Sequence, residues 1–324
     1  MKKNTVRALA VILLAGLALG PGQALAEAKA VKITAIVEHP ALDSVRKGVI
    51  DELAAQGFKD GDAIAVEFQS AQGDVGIAGQ IAQKFVGDGP AVIVPISTPS
   101  AQAVAAAAKG RVPVVFSAVT DPVAAKLVPE WKKPGANITG VSDLTPLDKQ
   151  LDVVKRMVPS LKNLGVPYNP GEANSVVLLN KLKDVAQPKG ITIIGAAAPS
   201  SNDVLQAGRS LVGKVDAMFV TTDNTVVSAL EALVKVGTEA KLPLFAADTA
   251  SVDRGAVAAV GFDYYDIGRQ TGAIVARVLK GEKPGDIPVE GVEKLQLHLN
   301  ARTAKAMGIA LPEDLAKQAA KVVE

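Results

Sequence analysis

From residue 31 onward, short apolar runs rich in Val and Ile alternate with longer amphipathic stretches, the pattern of successive βα units around a parallel sheet. These runs predict strands at 31–37, 63–69, 91–96, 112–118 and 138–141, with helices near 41–57, 74–87 and 99–109 between them. A second series follows, with strands at 164–168, 191–196, 217–221 and 242–246 and helices near 172–187, 203–213 and 225–240. The two series overlay: Asp74-Val75 falls on Asp203-Val204, and Pro113-Val114-Val115-Phe116 on Pro243-Leu244-Phe245. Identity between them is slight, so the repeat speaks for two α/β lobes of similar architecture and not for function. The segment 139–146 is placed to join the lobes, and the chain to return near 261–266.

In open α/β sheets, ligands bind beyond the carboxyl ends of the strands, where helix N-termini present free N–H groups. Two such lobes face to face enclose a cleft lined by strand-to-helix loops. The functional residues are expected in those loops.

The chain's ends and composition narrow the class. Lys2, Lys3 and Arg7 precede an uncharged, largely apolar run at 8–20, and Ala24 and Ala26 follow as the small residues of a cleavage site. Residues 1–26 therefore read as an export signal, too short to serve as a membrane anchor. The 324 residues carry a formal charge of +2. Removing residues 1–26, with three basic and no acidic side chains, brings it to −1, which gives no electrostatic case for nucleic acid. There is no cysteine, which excludes a disulfide framework, a thiolate metal site, a thiol nucleophile and a lipidated N-terminal Cys.

The loops carry the candidate chemistry. After the first strand, Glu38 and Asp43 flank a helix start at Pro40, either as favourable charge at the N-terminus or as ligand contacts. After the third, Thr98 and Ser100 sit with Pro99 at the opening of an alanine-rich helix, a receptor for a carboxylate or phosphate. Thr120 and Asp121 end the fourth strand. The second lobe offers Tyr168, Glu172, Asn174 and Ser175, then Asp223 and Asn224, then Asp248. Each loop pairs an acid with hydroxyl or amide groups, the set an amino-acid zwitterion needs: acceptors for its ammonium, donors for its carboxylate. Helix caps and Asx turns account for many of these residues singly.

Enzyme motifs are missing. The GxxxxGK match at 208–214 closes a helix ahead of a strand, the reverse of a phosphate loop, and no HExxH, GxSxG or GxGxxG after the first strand occurs. With two histidines far apart and no cysteine, no metal site and no cofactor is expected. Paired carboxylates leave a hydrolase open.

Six runs resemble one family: EHPALD at 38–43, FSAVTDPV at 116–123, NITGVSD at 137–143, YNPGEANS at 168–175, TTDNTVVS at 221–228 and DYYDIGRQTG at 263–272. It is the family of ABC-transporter substrate-binding proteins that includes tryptophan-, tyrosine- and phenylalanine-binding members. The resemblance implies a type I periplasmic-binding fold of two Rossmann-like lobes joined by three crossovers. Lobe 1 is expected from 27–143 plus about 264–285, and lobe 2 from 144–263 plus about 286–324. Also implied are a small zwitterionic ligand, with an aromatic amino acid as first choice, an ABC permease with its ATPase subunit as partners, and no catalysis. Many relatives are lipoproteins; this chain, without cysteine, is expected free in a Gram-negative periplasm as a monomer. On this reading Thr98 and Ser100 hold the carboxylate, Asp223 the ammonium, with Asp248 and Asp121 behind it, and Tyr168, Tyr264 and Phe116 are candidates for ring contacts. Asp263 opens the last motif and joins the site set. Another amino acid, a nucleobase or a sugar remains an alternative ligand, and a periplasmic hydrolase the alternative class.

Overall fold

The computed structural model describes residues 28–324. The export-signal reading falls on residues 1–26 and lies outside them. Five strands, β1 (Lys29–Ala35), β2 (Ile64–Ser70), β3 (Val92–Ile96), β4 (Val114–Phe116) and β5 (Ile138–Gly140), form a wholly parallel sheet in the order β2-β1-β3-β4-β5. Helices α1 (Pro40–Ala55), α2 (Val75–Gly87) and α3 (Thr98–Ala108) are the crossovers. β3 is buried at all five positions, as a strand covered on both faces must be, whereas edge strand β2 buries only Ile64.

A second alternation comprises α4 (Leu147–Met157), β6 (Asn163–Tyr168), α5 (Ala173–Ala186), β7 (Thr192–Ala197), α6 (Val204–Leu211), β8 (Ala217–Val220), α7 (Asn224–Ser228), α8 (Leu230–Ala240), β9 (Leu244–Ala246), α9 (Ala250–Asp253) and β10 (Ala258–Gly261). The single helix expected at 225–240 is broken at Ala229, whose φ of −115° and ψ of 28° leave the helical region. The chain ends with α10 (Tyr264–Leu279), β11 (Gln296–Asn300), α11 (Ala301–Ala306), α12 (Glu313–Gln318) and β12 (Lys321–Val323). The second sheet runs β12-β11-β10-β9-β8-β6-β7, parallel except where β11 meets β10.

Each sheet has its own apolar core. Residues between Leu147 and Ala259 and between Leu299 and Leu315 pack around the second sheet. The first sheet's cores draw on 31–141 and take in α10 through Ile267, Ile274, Val275 and Leu279. α10 reaches α1 because glycines let the backbones touch: a Cβ on Gly48 would lie 2.3 Å from the Tyr265 carbonyl oxygen, and one on Gly268 2.2 Å from that of Val45. Residues 287–290 stay with the first sheet, beyond the expected return near 285. The Thr139 hydroxyl donates to the Ile287 carbonyl (2.7 Å), and Glu290 exchanges backbone hydrogen bonds with Gly140 and Ser142 alongside β5. Three segments of chain thus pass between the halves, near 141–146, 262–263 and 291–295.

Candidate ligand-binding cleft

The carboxyl ends of the two sheets face each other across a narrow cavity, about 20 Å³ of free space, lined by residues of both halves. Its two walls have opposite chemistry. On the first-sheet side stand the N-termini of α1 and α3, whose N-cap residues, His39 and Ser97, accept no helix N–H through their side chains. The first N–H groups of a helix have no intrahelical partner, so both ends offer donors and the positive pole of the helix dipole. Around α3 the buried hydroxyls of Ser97, Thr98 and Ser100 also lack a hydrogen-bond partner among the described residues. Ser97 enters α3 at φ 78°, and Ala118 across the same wall lies at φ 52°, conformations that L-residues rarely adopt and that gather at binding sites.

On the other side the helix ends are already occupied by carboxyls. Asp223 caps α7 by accepting from Val226 N (2.9 Å), and its other oxygen takes Asn169 N (2.6 Å) and the Ser175 hydroxyl. Asp248 accepts from Ser251 N (2.9 Å) and the Ser251 hydroxyl. From the crossovers, Asp143 accepts from Thr120 Oγ1 (3.1 Å) and from the Tyr264 hydroxyl (2.8 Å). Asp143, Asp223 and Asp248 all line the cavity, and no Lys or Arg does among the described residues.

Burial dominates the titrations of these groups. Burial pushes the carboxyls of Asp143 and Asp248 above the usual range. Burial, with the charge of Glu172 beside it, pushes Asp223 up to about 7. Burial and then Asp143 hold the Tyr264 hydroxyl protonated, and burial and the Arg254 charge bring His39 down to about 3, so its ring is neutral.

Of the residues expected at the site, Thr98, Thr120, Asn174, Asp223, Asn224, Asp248 and Tyr264 line the cavity. Ser100, Glu172 and Ser175 are buried behind the wall. Glu172 binds Asn224 N (3.1 Å), Thr225 N (2.9 Å) and the side chains of Asn174, Asn224 and Thr225, and so fixes the start of α7. Glu38 and Asp43 turn instead to Arg46, at 3.9 and 3.3 Å. Asp121 turns to Ala124 N (3.0 Å) and to Lys181 (3.5 Å). Asp263 caps α10 through Tyr265 N (2.9 Å). The Tyr168 ring lies against Gly195, and Phe116 is fully buried in the first lobe's core. The cavity also contains His39, Ser97, Asp143 and Thr222, which the sequence reading does not place there. Their signal is positional: His39 and Ser97 precede the prolines that open α1 and α3, and Asp143 sits in the first crossover.

Residues 30–323 match the family model described as ABC transporter substrate binding protein. The chain belongs to that family. It is a substrate-binding component of an ABC transporter, and it shares the type I periplasmic-binding fold with solute-binding proteins only 14–15% identical to it (TM-score 0.61). A protein of Clostridioides difficile named tyrosine-binding protein is 42% identical over 279 residues, 86% of this chain and 81% of the relative. A solved ABC domain from Streptococcus pneumoniae in complex with L-Trp is 35% identical and superposes with a TM-score of 0.88, covering 91% of this chain and all of that one. The ligand-free, open structure of a substrate-binding protein with adhesive properties from Clostridium difficile is 40% identical but superposes at only 0.68, over 91% of this chain and 99% of its own. The more similar sequence fits less well, so divergence does not set the order.

Proposed function

We propose that this protein captures an amino acid with an aromatic side chain between its lobes and hands it to an ABC permease driven by its ATPase subunit. The observation that carries this reading is the polarity of the cleft. Unpartnered hydroxyls and two uncapped helix N-termini of the first lobe face the carboxyls of Asp223 and Asp248, with Asp143 between them at the crossover and no Lys or Arg on the cavity wall among the described residues. A zwitterion supplies what each wall lacks, a carboxylate for the α3 end and an ammonium for the Asp143, Asp223 and Asp248 side. A sugar or nucleobase brings no full charge to either wall. The names of the similar proteins, one tyrosine-binding and one solved with L-Trp, support an aromatic side chain.

The lobes, 28–143 with about 264–290 and 144–263 with about 291–324, act as two bodies that hinge at the crossovers. A ligand touching both shifts the population toward closed. Micromolar binding corresponds to about 8 kcal/mol, and a few charge-assisted hydrogen bonds of roughly 1.5–3 kcal/mol each, plus one buried apolar side chain, are on that scale. The protein works as a monomer in the periplasm after removal of residues 1–26, and returns its ligand chemically unchanged. Among the described residues no helix is long and apolar enough to cross a membrane.

Calorimetry of the exported chain against amino acids, nucleobases and sugars tests this. Saturable binding of an aromatic amino acid, recovered intact, is expected. Binding confined to sugars or nucleobases, or turnover of any ligand, overturns the reading.

A further inference from the structure

We propose that His39 reads the aromatic side chain of the ligand, hydrogen-bonding a phenol hydroxyl or an indole N–H, so that the cleft prefers tyrosine and tryptophan to phenylalanine. This rests on the amino-acid reading above and adds to it the residue that selects among aromatic side chains.

The argument starts from what is left of the cavity once the charged ends of the ligand are placed. The carboxylate belongs at the α3 end and the ammonium against the three carboxyls. Among the other lining residues are Ala41 and Leu42 at the start of α1, Ala118, and Val227 of the opposite lobe. These are apolar, as a ring requires. His39, immediately before α1, lines the cavity with them. Only 8% of its surface is exposed, and its Nδ1 has no hydrogen-bond partner among the described residues. A buried polar nitrogen left unpaired costs free energy that a ligand group can recover.

The imidazole is placed rigidly and in a usable state. Its residue is the N-cap of α1, held by Asp43 N donating to the His39 carbonyl oxygen at 3.0 Å, and α1 is locked against α10 by backbone contact at Gly48 and Gly268. Arg254, whose Nη1 donates to the Val227 carbonyl at 2.7 Å, lies near enough for its charge to disfavour a second proton on the ring. A neutral imidazole has one donor and one acceptor nitrogen, so it can take a hydrogen bond from a phenol or an indole and cannot act as a cation for the carboxylate. A site that pairs a polar ligand group rejects the analogue lacking it, because the protein's own group is then buried unpaired.

The test is calorimetry with the full exported chain. Tyrosine and tryptophan are expected to bind roughly tenfold or more tightly than phenylalanine, O-methyltyrosine or 1-methyltryptophan. His39→Leu is expected to bring tyrosine and phenylalanine within about threefold of each other without weakening phenylalanine, and His39→Gln to restore part of the difference. Equal affinity of the unaltered protein for tyrosine, tryptophan and phenylalanine overturns the proposal while leaving the amino-acid reading standing. So does a His39→Leu variant that keeps the parental ratio. Binding of no aromatic amino acid removes both. Should His39→Leu not fold, the methylated ligands on the unaltered protein decide.

Discussion

The hydroxyl of Tyr264 donates to Oδ2 of Asp143 across 2.8 Å, and this buried bond ties the first crossover to the second at the floor of the cleft. Thr120 Oγ1 holds the other oxygen of the same carboxyl. The pair therefore touches the ligand cavity and two of the three segments that pass between the halves. Tyr264→Phe leaves Asp143 with one donor. Loss of a hydrogen bond to a buried carboxyl costs about 1.5–3 kcal/mol, so the ligand-free melting temperature is expected to fall by several degrees. Ligand affinity falls as well, because the carboxyl is then harder to ionise beside an ammonium. A melting curve identical to the parent's would show that the bond does not brace the crossovers.

Thr98→Val separates binding from folding by sign. The Thr98 hydroxyl is buried, lines the cavity and has no partner among the described residues, so replacing it with a methyl of similar size removes an unsatisfied group. The ligand-free protein is expected to melt at the same temperature or slightly higher. If the hydroxyl serves the ligand carboxylate, calorimetry on the same variant shows affinity down by roughly fivefold to a hundredfold. Lower stability with unchanged affinity would assign Thr98 to the scaffold.

Much of the framework is legible because parallel strands announce themselves as short Val- and Ile-rich runs: all five strands of the first sheet lie where such runs predict. The break at Ala229 is not, since neither Gly nor Pro marks it and the sequence on both sides is helix-forming. β12 is hidden as a three-residue edge strand, Lys321–Val323, with little of it buried. Within the loops, an acid ahead of a helix looks the same whether it caps or awaits a ligand. Asp263 and Asp248 read alike in the sequence, yet only Asp248 reaches the cavity. His39 and Ser97 stay outside the expected site because each stands one residue before a helix, where a side chain that fills the cap and one that leaves it open look the same in sequence. The contrast between a donor wall and an acceptor wall depends on which N-caps are filled, which only the folded chain decides.

Asp223 is expected to show itself in the pH dependence of stability. Burial, and then the charge of Glu172 beside it, raise its carboxyl above the ordinary 3.8 to about 7, so between those values the folded state holds the extra proton. Stability contributed by that proton is full below the unfolded value and is lost as pH rises toward 7, with a slope of at most about 1.4 kcal/mol per pH unit. Melting temperatures of the ligand-free protein are therefore expected to decline from about pH 5 to about pH 7.5, and Asp223→Asn to flatten that decline. The variant also loses part of the cap on α7 and of the anchor for Asn169 N, so it melts lower than the parent at the acid end of that range. An unchanged slope in the variant would place the titration elsewhere.

Two glycine substitutions of identical chemistry are expected to act in opposite directions. A methyl on Gly268 would stand 2.2 Å from the Val45 carbonyl oxygen and 2.9 Å from Gly48 Cα, both backbone atoms that cannot swing aside. Gly268→Ala must therefore drive α10 from α1, at a cost of about 1–3 kcal/mol or more. The displacement carries Ala41 and Leu42 at one end and Tyr264 at the other, all on the cavity wall, so ligand affinity should fall along with the melting temperature. Gly79, inside α2, has nothing within 4 Å of the position a Cβ would take. Gly79→Ala then gains helix propensity without a clash, raising stability by roughly 0.5–1 kcal/mol and leaving affinity untouched. Melting curves and calorimetry on the two variants, side by side, check both signs; a tolerated Gly268→Ala would mean that the α1 and α10 backbones do not need this contact to hold the cleft in shape.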